Sequence, residues 1–287
     1  MKRLLWILVV GLVLLVAPAV VPVQAQEELV VFAAASLTDA FEDVAAAFEA
    51  ENPNINILFN FGSSSALAAQ LNQGAPADVF ASANNTQMQV AVEGGRIAGT
   101  PHPFVKNRLV VITPADNPAS ITTLADLANA GIQLLVAAPE VPVRTYTDTM
   151  LERLAADPAY GEAYRMAVLG NIVSEEPNVR QVAAKIALGE ADAGVVYISD
   201  VTPDIADQVL MIEVPDTLNT IATYPIAITH DTAHPALAQA FVDFVLSDAG
   251  QAILVNWNFV SVHAEAAEDT TPAASALLPR CGYHSSR

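Results

Sequence analysis

The chain has 287 residues, 53% of them hydrophobic, with 31 acidic against 12 basic residues and a formal net charge of −19 at neutral pH. That excess of negative charge excludes a nucleic-acid role, since nothing here can replace the counterions around phosphates, and any anion site must work locally against the protein's own field. The single cysteine, Cys281, excludes an internal disulfide and a cysteine-built metal site.

Met1-Lys2-Arg3 is positively charged, and Leu4 to Val23 is almost wholly apolar, broken by Gly11, Pro18 and Pro22. The run closes on Val23-Gln24-Ala25, the small-residue spacing of a signal-peptidase site, so residues 1–25 are expected to be a signal peptide cleaved before Gln26. The alternative is an uncleaved anchor, because about 20 apolar residues can span a bilayer. No cysteine lies at the junction, so the segment is not a lipoprotein signal. The expected product is exported, to the periplasm or the extracellular face, and soluble. It retains about 260 residues, enough for two lobes.

Leu29 to Ala33 reads as a buried strand, followed by Leu37, Phe41, Val44 and Phe48 on one helix face. Asn52-Pro53-Asn54 ends that helix, and Ile55 to Phe59 begins a second strand. Further strands are expected at Asp78–Ala81, Leu109–Thr113, Gln133–Ala137, Ala193–Ile198, Val209–Glu213 and Tyr224–Thr229. Helical patterns occupy Ala66–Gln73, Leu124–Ala130, Tyr146–Ala156, Val179–Leu188 and Pro235–Leu246. Strands separated by helices imply βαβ units, so the class is α/β with mostly parallel sheets flanked by helices. From His263 to Arg287 the periodicity stops, and a disordered tail is expected.

Ligands of open α/β sheets bind beyond the carboxyl ends of strands, where helices begin. Two such junctions carry serine: Ala33-Ala34-Ala35-Ser36-Leu37-Thr38-Asp39 and Phe61-Gly62-Ser63-Ser64-Ser65-Ala66-Leu67. The first N–H groups of a helix lack internal partners and sit at its positive end, so each junction can donate to an anion. The competing reading is plain capping, with Ser36 as an N-cap and Asp39 completing a shortened capping box. A third feature is Gly189 to Asp200, where Tyr197 near a strand end either aims its phenol at a cleft or is a core tyrosine.

These two serine segments, Gly74-Ala75-Pro76-Ala77-Asp78-Val79-Phe80 with Ser82-Ala83, and the Gly189–Asp200 stretch together resemble, in order and spacing, the molybdate-binding proteins of ABC transporters. The resemblance covers about Glu28 to Val262. It implies a two-lobed type II periplasmic-binding-protein fold with the ligand between the lobes. Residues 26–108 and 224–262 would form the first lobe and 109–223 the second, with hinge strands at Leu109–Thr113 and Tyr224–Thr229. It also implies a molybdate or tungstate ligand, no resident cofactor or metal centre apart from that of the oxyanion, no catalysis, a monomer, and a membrane permease as partner. Five residues match the family's ligand positions: the hydroxyls of Ser36 and Ser64, the backbone N–H groups of Val143 and Val179, and the phenol of Tyr197. Within the serine triplet, Ser64 is favoured over Ser63 and Ser65. Arg144 stands where the family often has glycine and Asn178 where many relatives have an acid.

All five groups are uncharged donors, which suits a fully deprotonated tetrahedral dianion. Hydrogen phosphate would leave its proton unpaired, at a cost of ~1–3 kcal/mol. Sulfate, thiosulfate, phosphonate or organic-acid binding on the same fold is the nearest alternative. Arg144 and Arg180 are alternative anion clamps, against surface or inter-lobe pairing with acidic neighbours. A serine hydrolase lacks its Gly-x-Ser-x-Gly elbow, and no phosphate loop ends in Lys-Ser or Lys-Thr. His230 and His234 are four apart, but Pro235 puts His234 at a helix start, so a metal site is not expected.

Overall fold

The computed structural model describes residues 26–263. Residues 1–25 and 264–287 lie outside the described residues, and with them the expected signal peptide, nearly all of the expected tail, and Cys281. In chain order the elements are β1 (Glu27–Ala34), a 3-10 turn (Ala35–Leu37), α1 (Thr38–Glu51), β2 (Ile55–Gly62), α2 (Ser64–Asn72), β3 (Val79–Ala81), α3 (Asn85–Glu93) and β4 (Ile97–Asn107). Then come β5 (Leu109–Pro114), a 3-10 helix (Leu124–Ala128), β6 (Leu134–Ala137), α4 (Pro142–Ala156), α5 (Gly161–Gly170), β7 (Ile172–Glu176), α6 (Val179–Ala187), β8 (Ala193–Tyr197) and a 3-10 turn (Ile198–Asp200). The chain closes with α7 (Pro203–Ala206), β9 (Val209–Glu213), β10 (Ala222–Thr229), α8 (Pro235–Leu246), α9 (Asp248–Asn256) and β11 (Val260–Ser261).

Two sheets result, in the orders β11-β4-β10-β3-β1-β2 and β7-β6-β8-β5-β9. The architecture is the expected α/β one with two sheets flanked by helices. The sheets themselves are mixed rather than mostly parallel. Pairing is parallel where helices carry the chain back, as between β1 and β2 or β6 and β7. It is antiparallel where the chain enters and leaves each sheet, through β4, β10, β5 and β9. A strand that arrives from the other lobe has no crossover helix to reverse it, so it runs against its neighbour. The chain passes from the first sheet to the second between β4 and β5, at Arg108, and returns between β9 and β10. The return strand starts at Ala222, ahead of the Tyr224 expected. Asn219 ties the two passages: its Oδ1 accepts from Leu109 N at 3.1 Å and its Nδ2 donates to Leu109 O at 2.9 Å.

The helix face read from the sequence is the buried one. Leu37, Phe41 and Val44 are fully buried and Phe48 nearly so. Phe41 meets Phe104 at 5.7 Å between ring centroids, and Phe48 meets Phe241 edge-on at 5.6 Å. These tilted geometries suit the ring quadrupoles. In the second lobe α6 packs on β8 so closely that a Cβ at Gly194 would lie 2.8 Å from Val182 Cγ1 and 2.9 Å from Ile186 Cγ1.

Some local expectations are corrected. Leu124–Ala128 is a 3-10 helix, opened by a capping box in which the Asp126 carboxylate accepts from the backbone of Thr122 and Thr123, both at 2.9 Å. Helix α4 starts at Pro142 rather than Tyr146, because proline is well suited to the first helical position. Strand β4 was not legible: Gly99, Pro101 and Pro103 interrupt its pattern, and much of it is exposed. Helices α3, α5 and α9 and strand β7 also went unread.

Candidate functional site

A small cavity of about 10 Å³ lies between the lobes. Its walls include all five residues singled out from the sequence: Ser36, Ser64, Val143, Val179 and Tyr197. No lining residue carries a formal charge. The first lobe supplies the turns after β1 and β2, and the second supplies the starts of α4 and α6 and the end of β8.

Ser36 lies inside the 3-10 turn Ala35–Leu37, and the residue that caps α1 is Leu37, with no side-chain bond. The capping-box reading of Ser36 with Asp39 is therefore corrected. The turn leaves the Ser36 hydroxyl free to look elsewhere, and its Oγ lies 2.9 Å from Tyr224 Oη. Asp39 pairs across the lobes with Arg180.

At the second junction the capping role falls to Ser63. Its backbone is extended, and its Oγ accepts from Ala66 N at 3.3 Å. Ser64 thereby becomes the first helical residue, 1% exposed, with its Oγ accepting from Ala83 N at 2.9 Å. A backbone N–H can only donate, so the Ser64 proton remains available to a ligand.

In the second lobe, Pro142 occupies the first position of α4 and Val143 the second, so the Val143 N–H belongs to the first turn, which lacks intrahelical acceptors. Val179 opens α6 behind Asn178, whose Oδ1 caps Gln181 N at 3.1 Å. Both valines are buried against the cavity. The β8 strand ends at Tyr197, which is 1% exposed, and its Oη has no hydrogen-bond partner among the described residues. A buried hydroxyl without a partner costs free energy, and this one lies in the cavity wall. Burial pushes the Tyr197 phenol well above its usual range, so it stays protonated and a donor. Asp200 Oδ2 accepts from Tyr197 N at 3.0 Å and fixes the strand end. Burial pushes the Asp200 carboxyl up to about 6, although the Arg180 guanidinium 3.2 Å away opposes the shift.

Neither arginine reaches the cavity wall. Arg144 donates to Asp148 Oδ1 at 2.9 Å, to Glu175 Oε1 at 2.6 Å and to Ala137 O at 3.3 Å. Arg180 donates to Asp39 and to the Ala35 carbonyl and forms an ion pair with Asp200 at 3.2 Å. In so acidic a chain, carboxylates have claimed both cations. His230 and His234 pair separately with Asp231 at 3.1 Å and Glu27 at 2.8 Å.

Three groups at the site went unassigned in the sequence. Ala83, quoted in the Ser82-Ala83 pair, acts through its backbone N–H, which no side-chain pattern announces. Tyr224 and Asn107 lie far along the chain from Ser36, and only the return of β10 beside β4 brings them to it.

Two lobes joined by paired crossing segments, closed on a cavity of neutral groups, define a solute-binding protein. The sequence profile of the bacterial extracellular solute-binding proteins matches residues 29–260. The chain belongs to that family, and its work is binding for transport rather than catalysis. It is 40% identical over 233 residues to the molybdate-binding protein ModA of Mycobacterium tuberculosis, covering 81% of this chain and 84% of that one. The substrate-binding domain of a putative molybdenum ABC transporter from Clostridium difficile matches with a TM-score of 0.61 at 30% identity, over 82% of this chain and 99% of that one. The sulfate-binding protein SubI of M. tuberculosis shares the fold, with a TM-score of 0.72 at 19% identity over 85% of this chain and 90% of that one.

Proposed function

We propose that this protein captures molybdate or tungstate outside the cytoplasmic membrane and delivers it to the membrane permease of an ABC importer. The observation that carries the reading is the unpartnered, buried Tyr197 phenol in a small cavity with no charged lining residue. Around it stand Ser36, Ser64 and the helix-start N–H groups of Val143 and Val179. All are donors, and a fully deprotonated tetrahedral dianion offers only acceptors. The small volume favours a compact ion over a ligand with a carbon chain. The names of the 40% identical mycobacterial relative and of the clostridial domain support the choice of molybdenum. Export rests on the charged-then-apolar N-terminal segment and on the extracellular family. The protein acts as a monomer without a resident cofactor, and the anion is its cargo.

Sulfate is the second reading, because it too presents only acceptors. A titration panel of molybdate, tungstate, sulfate and phosphate separates them: tight heat-evolving or heat-absorbing binding of molybdate and tungstate is expected, with sulfate far weaker. Sulfate binding as tight as molybdate would overturn the assignment. In Tyr197→Phe, molybdate affinity falls about tenfold, as a lost ligand hydrogen bond implies. Its ligand-free melting temperature stays level or rises, since the phenol has no protein partner to lose. Ser36→Ala weakens binding similarly but lowers the melting temperature, because it strands Tyr224. Unchanged molybdate affinity in both variants sinks the site.

A further inference from the structure

The polarity of Ser36 is set by a buried chain of hydrogen bonds that begins at a backbone amide. Asn107, at the end of β4, is fully buried. Its Oδ1 accepts from Arg108 N at 2.9 Å. That N–H can only donate, so it fixes the side-chain amide with oxygen toward Arg108 and nitrogen away. Nδ2 then donates to Ser199 Oγ at 2.8 Å and to Tyr224 Oη at 3.3 Å. Tyr224 is also fully buried and must place its own proton. Asn107 Nδ2 offers it no lone pair, and the neighbouring Tyr197 Oη makes no hydrogen bond among the described residues, so the acceptor in reach is Ser36 Oγ at 2.9 Å. With an incoming proton from Tyr224, Ser36 turns its own hydroxyl hydrogen into the cavity.

We propose that Asn107 and Tyr224 are specificity-determining positioning residues: they hold Ser36 as a donor, so that the cavity takes a fully deprotonated tetrahedral oxyanion and rejects one that still carries a proton. The inference rests on the oxyanion reading above and adds the device that enforces it. Ser64 is held in the same sense by Ala83 N, but there the controlling donor is backbone and cannot be mutated away. At Ser36 the control passes through two side chains and is open to test. A serine free to rotate would accept the proton of a hydrogen phosphate. Held by this chain, it cannot.

The test uses the full-length protein and sodium molybdate, with sodium phosphate measured by competition, above the second ionisation of phosphoric acid, where the hydrogen phosphate dianion dominates. Tyr224→Phe removes the proton given to Ser36. Molybdate affinity is expected to fall about tenfold and the preference for molybdate over phosphate to narrow by at least as much. Asn107→Asp keeps the shape and the bond from Arg108 but turns the donor into an acceptor. Tyr224 then donates to the new carboxylate and takes the Ser36 proton, so the preference narrows again. Its added charge weakens both dianions, which leaves the ratio as the readout. An unchanged molybdate-to-phosphate ratio in folded variants overturns the relay and leaves the oxyanion site standing. Should Asn107→Asp fail to fold, the ratio in Tyr224→Phe decides alone. Failure of the unaltered protein to bind either anion overturns both readings.

Discussion

The two lobes bring different kinds of group to the cavity. The first offers serine hydroxyls, each held from behind by a donor: Ser64 by Ala83 N and Ser36 by Tyr224. The second offers backbone N–H groups at the starts of two helices, together with a phenol that has no protein partner. Side-chain donors are chosen residue by residue and lost by one substitution. Backbone donors come with the helix and tolerate almost any side chain. The first lobe therefore carries its chemistry in residue identity, whereas the second carries it in helix geometry together with the one phenol of Tyr197.

Four experiments press on that contrast. The largest effect is expected from Ser64→Ala, which removes a ligand donor and strands the buried Ala83 N–H. Molybdate affinity should fall about a hundredfold by titration calorimetry, and unfolding free energy by ~1–3 kcal/mol. Unchanged affinity there would remove Ser64 from the site.

Next is a pair at Val179. Proline at the first position of α6 deletes only the N–H, and the extended backbone of Asn178 before it suits a following proline. Val179→Pro should cost about tenfold in affinity, whereas Val179→Ala keeps the amide and stays within about threefold. Equal affinities for the two variants would break the second-lobe half of the comparison.

A smaller effect comes from Asp200 behind Tyr197. Its folded value of about 6 lies above the ordinary aspartate value of 3.8, so the folded state binds the extra proton between them. Stability from this group is present at low pH and is lost as pH rises through that window. Lowering pH from 7 to 5 should therefore stabilise the unaltered protein relative to Asp200→Asn by about 1 kcal/mol in paired thermal melts. A constant difference across the window would refute a buried, titrating Asp200. The smallest effect belongs to Arg144→Ala, which touches Asp148 and Glu175 instead of the cavity. Molybdate affinity should change by no more than about twofold, and a loss of tenfold would restore Arg144 as an anion clamp.

Legibility in the sequence followed the same division. Strand–Ser–helix junctions pointed to Ser36 and the triplet Ser63–Ser65, resemblance singled out Ser64, and the apolar spacing of α1 named its buried face. What such spacing cannot report is which serine caps. Ser63 took that role, and Ser36 escaped it because a 3-10 turn intervenes before α1. Val143 and Val179 came only through resemblance, since a backbone N–H has no residue signature. Tyr224 and Asn107 stayed hidden because their partnership depends on β10 returning beside β4. The mixed sheets were hidden for a related reason: strand direction at a lobe crossing is a property of the path, not of the pattern.

The absence of charge in the cavity wall has a kinetic consequence. A dianion approaching a chain of net charge −19 meets repulsion at a distance and finds attraction only at contact. Added salt screens the approach within about 10 Å at 0.1 M but barely touches bonds already enclosed. Rising ionic strength should therefore quicken capture and leave escape nearly unchanged, so the carrier loads better in brine than in fresh water.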